Sequence, residues 1–259
     1  MTLTSGKWSG FRELVLFDVT KECEGIKSFY FKAKDGAKLV RHIAGQFLPI
    51  RIKTDNPKYK DIIRTYSLSM IPNEDVYRIS VKKVDGGLIS SYLHDSLNIG
   101  DSIEAMIPTG LFTLRESSTE TPLVFISGGI GITPLISMLY YEALKRKNIT
   151  FIQAVINSSV HPFKNDIDYF ADINNLKNFV FYSDPLKSDI KGIDYTETGY
   201  VTKEWLEKNT PLNGDFYFCG PPPFMNSVKK SLSELGVPED RIHFESFTQK
   251  EKVSVNLYC

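Results

Sequence analysis

The sequence predicts a two-domain protein, in which an antiparallel β-barrel domain is followed by an α/β domain with a doubly wound parallel sheet. Its 259 residues are enough for two domains of ordinary size. Roughly the first 115 residues contain short alternating or apolar segments separated by turn-forming residues, which is typical of β structure. After a polar run at 117–121, strand-like and helix-like patterns alternate, which predicts βαβ units and a parallel sheet.

The first domain, which we assign to residues 1–116, contains six predicted strands and one predicted helix. Short strands separated by turn signals predict a small barrel, with a sandwich as the alternative. The helix directly follows the pair Gly86–Gly87. The strands are Leu14–Val19, Ser28–Phe31, Gln46–Ile52, Arg64–Met70, Val76–Val84 and Asp101–Ile107, and the helix is Ser90–Leu97.

The second domain, which we assign to residues 120–247, alternates five predicted strands with three predicted helices. Pro134 suits the first turn of the first helix, and Gly236 is placed to end the last one. Residues 248–259 form a C-terminal tail. The strands are Pro122–Ile126, Phe151–Ile156, Phe179–Tyr182, Asp215–Phe218 and Ile242–Phe247, and the helices are Thr133–Lys147, Lys203–Lys208 and Pro223–Leu235.

Composition and charge exclude several classes of protein. Lysine plus arginine equals aspartate plus glutamate at 31 each, which argues against a nucleic-acid-binding protein. No window approaches the roughly 18 apolar residues that span a bilayer, so we expect no membrane insertion. The start of the chain lacks an apolar run after a basic cluster, so we expect no secretory signal and a cytoplasmic location.

Cysteine and histidine positions predict no metal site. The three cysteines are far apart in the sequence, and the four histidines show no spacing typical of metal ligands. We therefore expect neither a disulfide framework nor a zinc or iron–sulfur centre. These residues are Cys23, Cys219 and Cys259, and His42, His94, His161 and His243.

A glycine-rich segment, Ser127–Pro134, lies between the first strand and the first helix of the second domain. Ligands of doubly wound sheets bind beyond the carboxyl ends of the strands, where this segment lies. Glycines let the backbone approach a pyrophosphate, and the helix N-terminus favours its charge. We predict that Thr133 caps the helix and donates its hydroxyl to a phosphate. Pro134 stands where the third glycine of a dinucleotide motif would be, so a glycine-rich turn without a ligand remains the alternative.

Three further segments have residues suited to binding a ligand. Phe218–Met225 ends a strand with Cys219 and Gly220, and here the alternative is a small buried cysteine. Arg64–Ser69 combines a guanidinium for a phosphate, the ring of Tyr66 for stacking and a serine hydroxyl, although a half-exposed strand would explain the same pattern. Val81–Ser90 passes through a glycine pair into a helix N-terminus, a second anion-binding geometry, with a plain hairpin turn as the alternative.

The order of these motifs resembles that of the ferredoxin–NADP reductase superfamily. The series R-x-Y-S, G-G-x-x-S, G-G-x-G-x-T-P, C-G-P-P and E-S-F covers Ile43 to Phe247. Within this superfamily, the sequence most resembles the reductase module of flavohaemoglobins and of oxygenase reductases. The opening W-x-G-F-R-E-L, Ala44–Leu48 and Asn157–Phe170 are similar to the flavohaemoglobin version, and we see no globin segment.

The resemblance implies an FAD-dependent NAD(P)H oxidoreductase, which moves a hydride from nicotinamide to N5 of FAD and then passes single electrons to a separate redox protein. That acceptor would be a haem globin, a ferredoxin or an oxygenase component. The implied catalytic residues are Ser67, Cys219 and Glu245. The implied cofactor-binding residues are Phe47, Arg64, Thr65, Tyr66, Ser67, Val81, Gly87, Ser90, Gly128, Gly129, Ile130, Gly131, Ile132, Thr133, Cys219, Gly220, Pro221 and Phe247.

The same resemblance assigns particular roles within these sets. Arg64 would hold the FAD phosphate, and Tyr66 would pack on the isoalloxazine ring with Ser67 near N5. Gly87 and Ser90 would bind the FAD pyrophosphate. Cys219 would lie near C4 of the nicotinamide, with Gly220 and Pro221 shaping that wall. Glu245 and Phe247 match the family's terminal acid and aromatic residue, and Phe247 would cover the flavin face until nicotinamide displaces it.

Two alternatives to a free-standing reductase remain open: a flavin subunit of a larger dehydrogenase complex and a non-catalytic flavin-binding regulatory protein. The residues after the second strand of the α/β domain, Ala154–Ser159, lack the arginine that NADPH-preferring relatives usually place there. Lys164 and Lys187 are cations that could substitute, but NADH is the coenzyme we favour. The tail, Thr248–Cys259, alternates like a strand near its end and is a candidate for docking an acceptor.

Overall fold

The computed structural model describes residues 8–174 and 176–247 and confirms the fold class. An antiparallel six-stranded sheet is followed along the chain by a parallel six-stranded sheet. The C-terminal tail, for which we predicted strand-like alternation, lies outside the described residues. Within the described ranges, no helix has the length and apolar character needed to cross a membrane.

The first sheet is a barrel and not a sandwich. Its strands run in the order β4-β3-β6-β1-β2-β5. The two ends of this order meet where Leu68, just after β4, pairs with Ile79 of β5, and the amide of Ser69 donates to the carbonyl of Arg78 at 2.9 Å. The elements are β1 Arg12–Cys23, β2 Ile26–Ala33, β3 Phe47–Ile52, β4 Arg64–Ser67, β5 Tyr77–Lys82, α1 Leu88–Asp95 and β6 Ser102–Ala105.

The second sheet is entirely parallel, with helices on both faces. Its strands lie in the order β10-β9-β8-β7-β11-β12. The chain adds β8, β9 and β10 on one side of β7 and then β11 and β12 on its other side, so the carboxyl ends of β7 and β11 border a crevice. Helices α2 and α3 pack on one face, and α4 and α5 pack on the other. The elements are β7 Leu123–Gly128, α2 Ile132–Glu142, β8 Ile149–Val155, α3 Lys164–Asn174, β9 Lys177–Tyr182, β10 Glu197–Thr198, α4 Lys203–Asn209, β11 Asp215–Gly220, α5 Pro222–Glu234 and β12 Ile242–Ser246.

Each predicted strand and helix is present, with ends shifted by a few residues. The largest shift is in α2, which ends at Glu142 and not at Lys147. The predicted role of Gly236 is confirmed: its φ is +75°, and the amides of Gly236 and Val237 donate to the carbonyls of Ser233 and Leu232, both at 3.1 Å, as in a Schellman motif. Helix α3 and the two-residue strand β10 were not predicted.

The polar run at 117–121 is held in place by one buried side chain, Arg146. Its guanidinium donates to the carbonyls of Ser117, Ser118 and Thr121, to the hydroxyl of Ser117 and to the carboxylate of Glu142. These five bonds use all the N–H donors of the group. We propose that the two domains meet at this run. This proposal keeps the boundaries predicted from the sequence, where the first domain ends at residue 116 and the second begins at residue 120.

Candidate functional site

The two loops predicted at the crevice are in direct contact. Gly129–Gly131 forms a single 3-10 turn between β7 and α2. A Cβ on Gly131 would overlap the carbonyl oxygen of Cys219, at the end of β11, and a Cβ on Gly128 would lie 2.9 Å from the ring of Phe224 in α5. Glycine is therefore needed at both positions for the loops to pack. Gly129 is different, because its φ is +52° and a Cβ there would meet no atom within 4 Å.

The role predicted for Thr133 as a helix cap is wrong. Helix α2 begins at Ile132, its N-cap is Gly131, and no side chain caps it. Thr133 is buried, and its hydroxyl donates to the carbonyl of Ile130 at 3.1 Å. The side chain thus fixes the turn, while the first N–H groups of α2 have no side-chain acceptor. The amide of Ile132 donates to the carbonyls of Gly129 and Ile130 within the turn, and a helix N-terminus without a side-chain cap suits the pyrophosphate of a dinucleotide through its dipole.

On the barrel side, the predicted site residues of β4 become more buried from the start of the strand to its end. Arg64 and Thr65 are exposed, Tyr66 is half-buried against the barrel core, and Ser67 is buried. Burial raises the pKa of the Tyr66 phenol, which keeps it protonated. The Oγ of Ser67 is buried and has no hydrogen-bond partner among the described residues. A buried hydroxyl of this kind is expected to meet a ligand atom, because buried polar groups are normally paired.

Neighbouring residues of the barrel complete this surface. Phe47 in β3 lies opposite Ser67 in the strand pair, and Gly110 packs against its ring. Gly87 is the N-cap of α1 and no side chain caps that helix, while Ser90 accepts from the amide of Val84 at 3.2 Å. Val81 is a barrel-core residue whose carbonyl accepts from a ring nitrogen of His94 at 2.8 Å, so its assignment to the cofactor rests on the motif alone.

Cys219 and Glu245 are neighbours across the β11–β12 pair. The Cys219 side chain is 0% exposed, and burial raises the pKa of its thiol, with the nearby Glu245 adding to the effect. Burial also raises the pKa of Glu245 to about 7, and its Oε2 has no hydrogen-bond partner among the described residues. Phe247 follows β12 and is 41% exposed, and Pro221 is exposed beside Gly220. A protonatable carboxyl group and an available aromatic ring thus lie at this end of the crevice.

The barrel surface and the crevice at the carboxyl ends of β7 and β11 adjoin each other. Strand β5 lies against the Gly129–Gly131 turn, and β4 lies beside β5. Two polar contacts of α2 fix this arrangement: the hydroxyl of Ser137 donates to the carbonyl of Met70 at 2.7 Å, and Arg78 donates to the Tyr140 hydroxyl at 3.3 Å. The motifs from both halves of the sequence therefore border one cleft between the two sheets.

A polar cluster at the carboxyl ends of β8 and β9 was not predicted as part of the site. The hydroxyl of Ser158 donates to the carboxylate of Asp189 at 2.5 Å, and the Asn157 amide donates to the carbonyl of Asp184 at 3.2 Å. The sequence signal available was the Asn-Ser-Ser run after the second strand of the domain, from which we predicted no binding residue. Asp189 lies in none of the sequence motifs, so the sequence analysis did not select it.

The raised pKa of Glu245 predicts a pH-dependent stability. The folded protein keeps a proton on this carboxyl up to a pH of about 7, whereas the unfolded chain releases it near the ordinary value of 4.5. The free energy of unfolding that Glu245 contributes should therefore fall as the pH rises through this window. In Glu245→Gln this loss should disappear, so that the variant gains stability relative to the wild type between pH 4.5 and 7.5. Urea unfolding at several pH values measures the difference, and parallel profiles would contradict the assignment.

Comparison with known proteins assigns each half of the chain to a domain family. Residues 13–114 match the oxidoreductase FAD-binding domain, and residues 125–230 match the oxidoreductase NAD-binding domain. A flavohemoprotein of Bacillus thuringiensis is 39% identical over 251 residues, which is 93% of this chain and 62% of that protein. The chain thus spans about three-fifths of the length of such curated relatives.

Solved structures agree with this result. The flavohem-like FAD/NAD-binding domain of nitric oxide dioxygenase from Vibrio cholerae superposes with a TM-score of 0.82 at 32% identity, covering 91% of this chain and 98% of that one. A cytochrome P450 reductase of Amycolatopsis has the same fold, with a TM-score of 0.78 at 22% identity over 92% of this chain and 70% of that one.

A flavin-binding barrel joined to a nicotinamide-binding parallel sheet defines the class of the protein: it is an FAD-containing NAD(P)H reductase. More narrowly, the chain belongs to the ferredoxin–NADP reductase superfamily, as an FAD/NAD module of the flavohaemoglobin type. The resemblance inferred from the order of the motifs is confirmed.

Proposed function

We propose that this protein takes a hydride from NAD(P)H onto FAD and delivers the electrons one at a time to a haem or iron–sulfur acceptor protein. The observation that carries the proposal is the contact between β5 of the barrel and the Gly129–Gly131 turn. This contact brings a flavin-binding strand pair and a dinucleotide-binding turn to the same cleft. Hydride transfer needs its two rings within about 3–3.5 Å, and only a shared cleft can provide that.

The residues present on the barrel side fit FAD. Arg64 is exposed at the start of β4, where its guanidinium can pair with a phosphate, and α1 offers a second helix N-terminus without a side-chain cap. Tyr66 would pack against the flavin ring, and the unpaired Oγ of Ser67 would hydrogen-bond to its polar edge. When bound, FAD supplies the chemistry that nicotinamide lacks, because it accepts two electrons together and releases them singly.

On the other side of the cleft, the chain's residues would hold and orient nicotinamide. Cys219, protonated because of its burial, would bound the ring pocket, and Glu245 would accept a hydrogen bond or keep its own proton at neutral pH. Phe247 is exposed enough to cover the flavin and to yield its place to nicotinamide. The Gly129–Gly131 turn and the open N-terminus of α2 would hold the pyrophosphate.

The names of similar proteins indicate the kind of acceptor that would take the electrons. The similar proteins include a flavohemoprotein, the FAD/NAD-binding domain of a nitric oxide dioxygenase and a cytochrome P450 reductase. These names favour an acceptor that carries haem, such as a globin, and the order of the motifs adds a ferredoxin or an oxygenase component as candidates. A flavin subunit of a larger dehydrogenase complex would use the same cleft and differ only in its acceptor.

The proposal is tested on the purified protein loaded with FAD. Anaerobic addition of NADH or NADPH should bleach its yellow colour, and ferricyanide or cytochrome c should restore it. Arg64→Ala should lower the FAD content, and Arg64→Lys should retain more, because it keeps the charge while losing the forked donor geometry. A colourless protein that takes up no FAD would overturn the proposal. A yellow protein that neither coenzyme reduces would instead favour a non-catalytic flavin-binding protein.

A further inference from the structure

A buried guanidinium, that of Arg78 on β5, joins the barrel to helix α2. The residue is only 8% exposed. Its Nη2 donates to the hydroxyl of Tyr140 at 3.3 Å, and that hydroxyl donates to the carboxylate of Asp166 in α3 at 2.7 Å. Because a phenol has one proton and Tyr140 gives it to Asp166, the phenol oxygen accepts from Arg78. One hydrogen-bonded chain therefore runs from the barrel through α2 to α3.

Within the barrel, Arg78 is bound to the segment that continues the proposed flavin strand. Ser69 lies two residues beyond Ser67, the last residue of β4. Arg78 donates through Nε to the Ser69 hydroxyl at 3.2 Å and through Nη2 to the Ser69 carbonyl, and the Ser69 amide donates to the carbonyl of Arg78 at 2.9 Å. The Ser69 hydroxyl is also bonded to that of Ser80 at 2.7 Å. The guanidinium is thus fixed relative to the end of β4.

A strained residue packs against the same guanidinium. Phe163, which directly precedes α3, has φ +59°, a left-handed conformation that is rare for a bulky aromatic residue. Its ring is buried, and the guanidinium carbon of Arg78 lies 5.0 Å from the centre of this ring and 5.6 Å from the centre of the Tyr140 ring. Cation–π attraction favours both contacts. Backbone strain of this kind persists only where the surrounding structure over-determines it, so the α/β domain also holds Arg78 in one position.

The direction of α2 depends on this joint. Besides the bond to Tyr140, the hydroxyl of Ser137 donates to the carbonyl of Met70 at 2.7 Å. One contact fixes a point on a helix, and two fix its direction. Without the Tyr140 bond the helix would pivot about Ser137, which lies about 7.5 Å along the axis from Ile132, where the helix meets the Gly129–Gly131 turn. A tilt of about 8° would then move that turn by about 1 Å.

We propose that Arg78 is a positioning residue for hydride transfer, which holds α2, and with it the bound nicotinamide, at the correct distance from the flavin. It acts through Tyr140 and touches neither ring. The inference rests on the proposed function, because hydride transfer is the step that a displacement of about 1 Å slows, by about 100-fold. The affinity for the coenzyme should be insensitive to Arg78, because the pyrophosphate-binding turn and the Cys219 loop pack on each other within one domain.

The test mixes the FAD-loaded protein anaerobically with NADH by stopped flow, so that NADH is oxidised to NAD⁺ as FAD takes up the hydride. Tyr140→Phe keeps the ring that contacts Phe170 and loses only the hydroxyl, so the fold should be preserved. Its rate of flavin reduction at saturating NADH should fall about tenfold, and adding Ser137→Ala should bring the loss to about 100-fold, because both contacts that set the direction of α2 are then gone.

Two equilibrium measurements report the geometry without turnover. The Kd for NAD⁺, measured by titration calorimetry, should stay within about twofold of the wild-type value in both variants, since the binding groups of one domain move together. The long-wavelength absorption that arises when nicotinamide stacks on flavin should weaken in step with the rate, because it depends on the distance between the two rings. A purely structural role for Arg78 would leave this absorption unchanged.

Tyr77→Phe is the matched control, because it also removes one buried tyrosine hydroxyl, whose bond to the Val40 carbonyl stays within the barrel. It should lose some stability and keep the wild-type rate of flavin reduction. An unchanged rate in the double variant of Ser137 and Tyr140 would overturn the inference and leave the proposed function standing. So would an equal fall in the rate and in NAD⁺ affinity, which would indicate a loosened α/β domain. If neither NADH nor NADPH reduced the wild type, the proposed function would fail together with the inference.

Discussion

Gly131→Ala is expected to lower the free energy of unfolding by about 3 kcal/mol and to abolish coenzyme binding. The backbone at Gly131 has φ −61°, which suits any residue, so the added methyl group acts through its volume alone. It would overlap the carbonyl group of Cys219 and the nitrogen of Gly220, and these are backbone atoms that cannot rotate away. The two loops at the crevice must then separate. Thermal unfolding of the FAD-loaded protein and titration with NAD⁺ measure the two effects.

Gly129→Ala is the control two residues earlier, where the physical situation is reversed. A Cβ at Gly129 would have open space around it, but the φ of +52° is a left-handed conformation that costs an alanine about 1–2 kcal/mol. The turn should keep its contact with Cys219, and coenzyme binding should weaken without being lost. Equal destabilisation by the two substitutions would mean that the contact between the loops is not what requires glycine at Gly131.

Features set by local sequence were predictable. The Gly236 cap of α5 depends on one residue that adopts a positive φ, and the strands of both sheets depend on apolar patterning between turn-forming residues. The order of the motifs also predicted the family, because each motif carries its own residue types in sequence. Each cap, strand or motif in these cases is defined by residues that adjoin one another in the sequence.

Helix α3 was missed because tertiary contacts stabilise it more than its own residues do. Its segment, Lys164–Asn174, is polar on average, and among residues 164–173 only Ile167 is fully buried. The helix is anchored by Tyr140 of α2, whose ring contacts Phe170 and whose hydroxyl donates to Asp166 at 2.7 Å. Short helices are commonly stabilised by packing of this kind and not by intrinsic propensity.

Details of the site depended on contacts between distant parts of the chain. The sequence predicted a glycine turn and a cysteine loop separately, but not that Gly131 packs on the carbonyl of Cys219. That contact assigns Gly131 a packing role. Thr133 was misassigned as a helix cap because its hydroxyl donates to the carbonyl of Ile130 inside the turn and does not cap the helix. Ser158 and Asp189 are 31 residues apart, and only folding brings them together.

The second large effect is expected at Arg146, the buried residue that holds the run at 117–121. Arg146→Ala should lower the free energy of unfolding by about 3 kcal/mol, because it removes the close partner of the buried Glu142 carboxylate, which then keeps only Lys145 at 3.9 Å. Three carbonyls of the 117–121 run lose a donor at the same time. The side chains of Arg146 and Glu142 are only 5% and 11% exposed, so water cannot readily replace these bonds. Urea unfolding of the FAD-loaded protein measures the loss.

A double variant separates the two causes of this loss. Arg146→Met with Glu142→Leu removes both charges and fills the space with apolar atoms, and a buried ion pair replaced in this way is often neutral or stabilising. If the ion pair were the whole contribution, the double variant should regain wild-type stability. We expect it to regain only part, because the carbonyls of Ser117, Ser118 and Thr121 remain without their donor, and each lost hydrogen bond contributes about 0.5–1.5 kcal/mol. Full recovery would show that Arg146 stabilises α2 alone and does not fix the connection between the barrel and the parallel sheet.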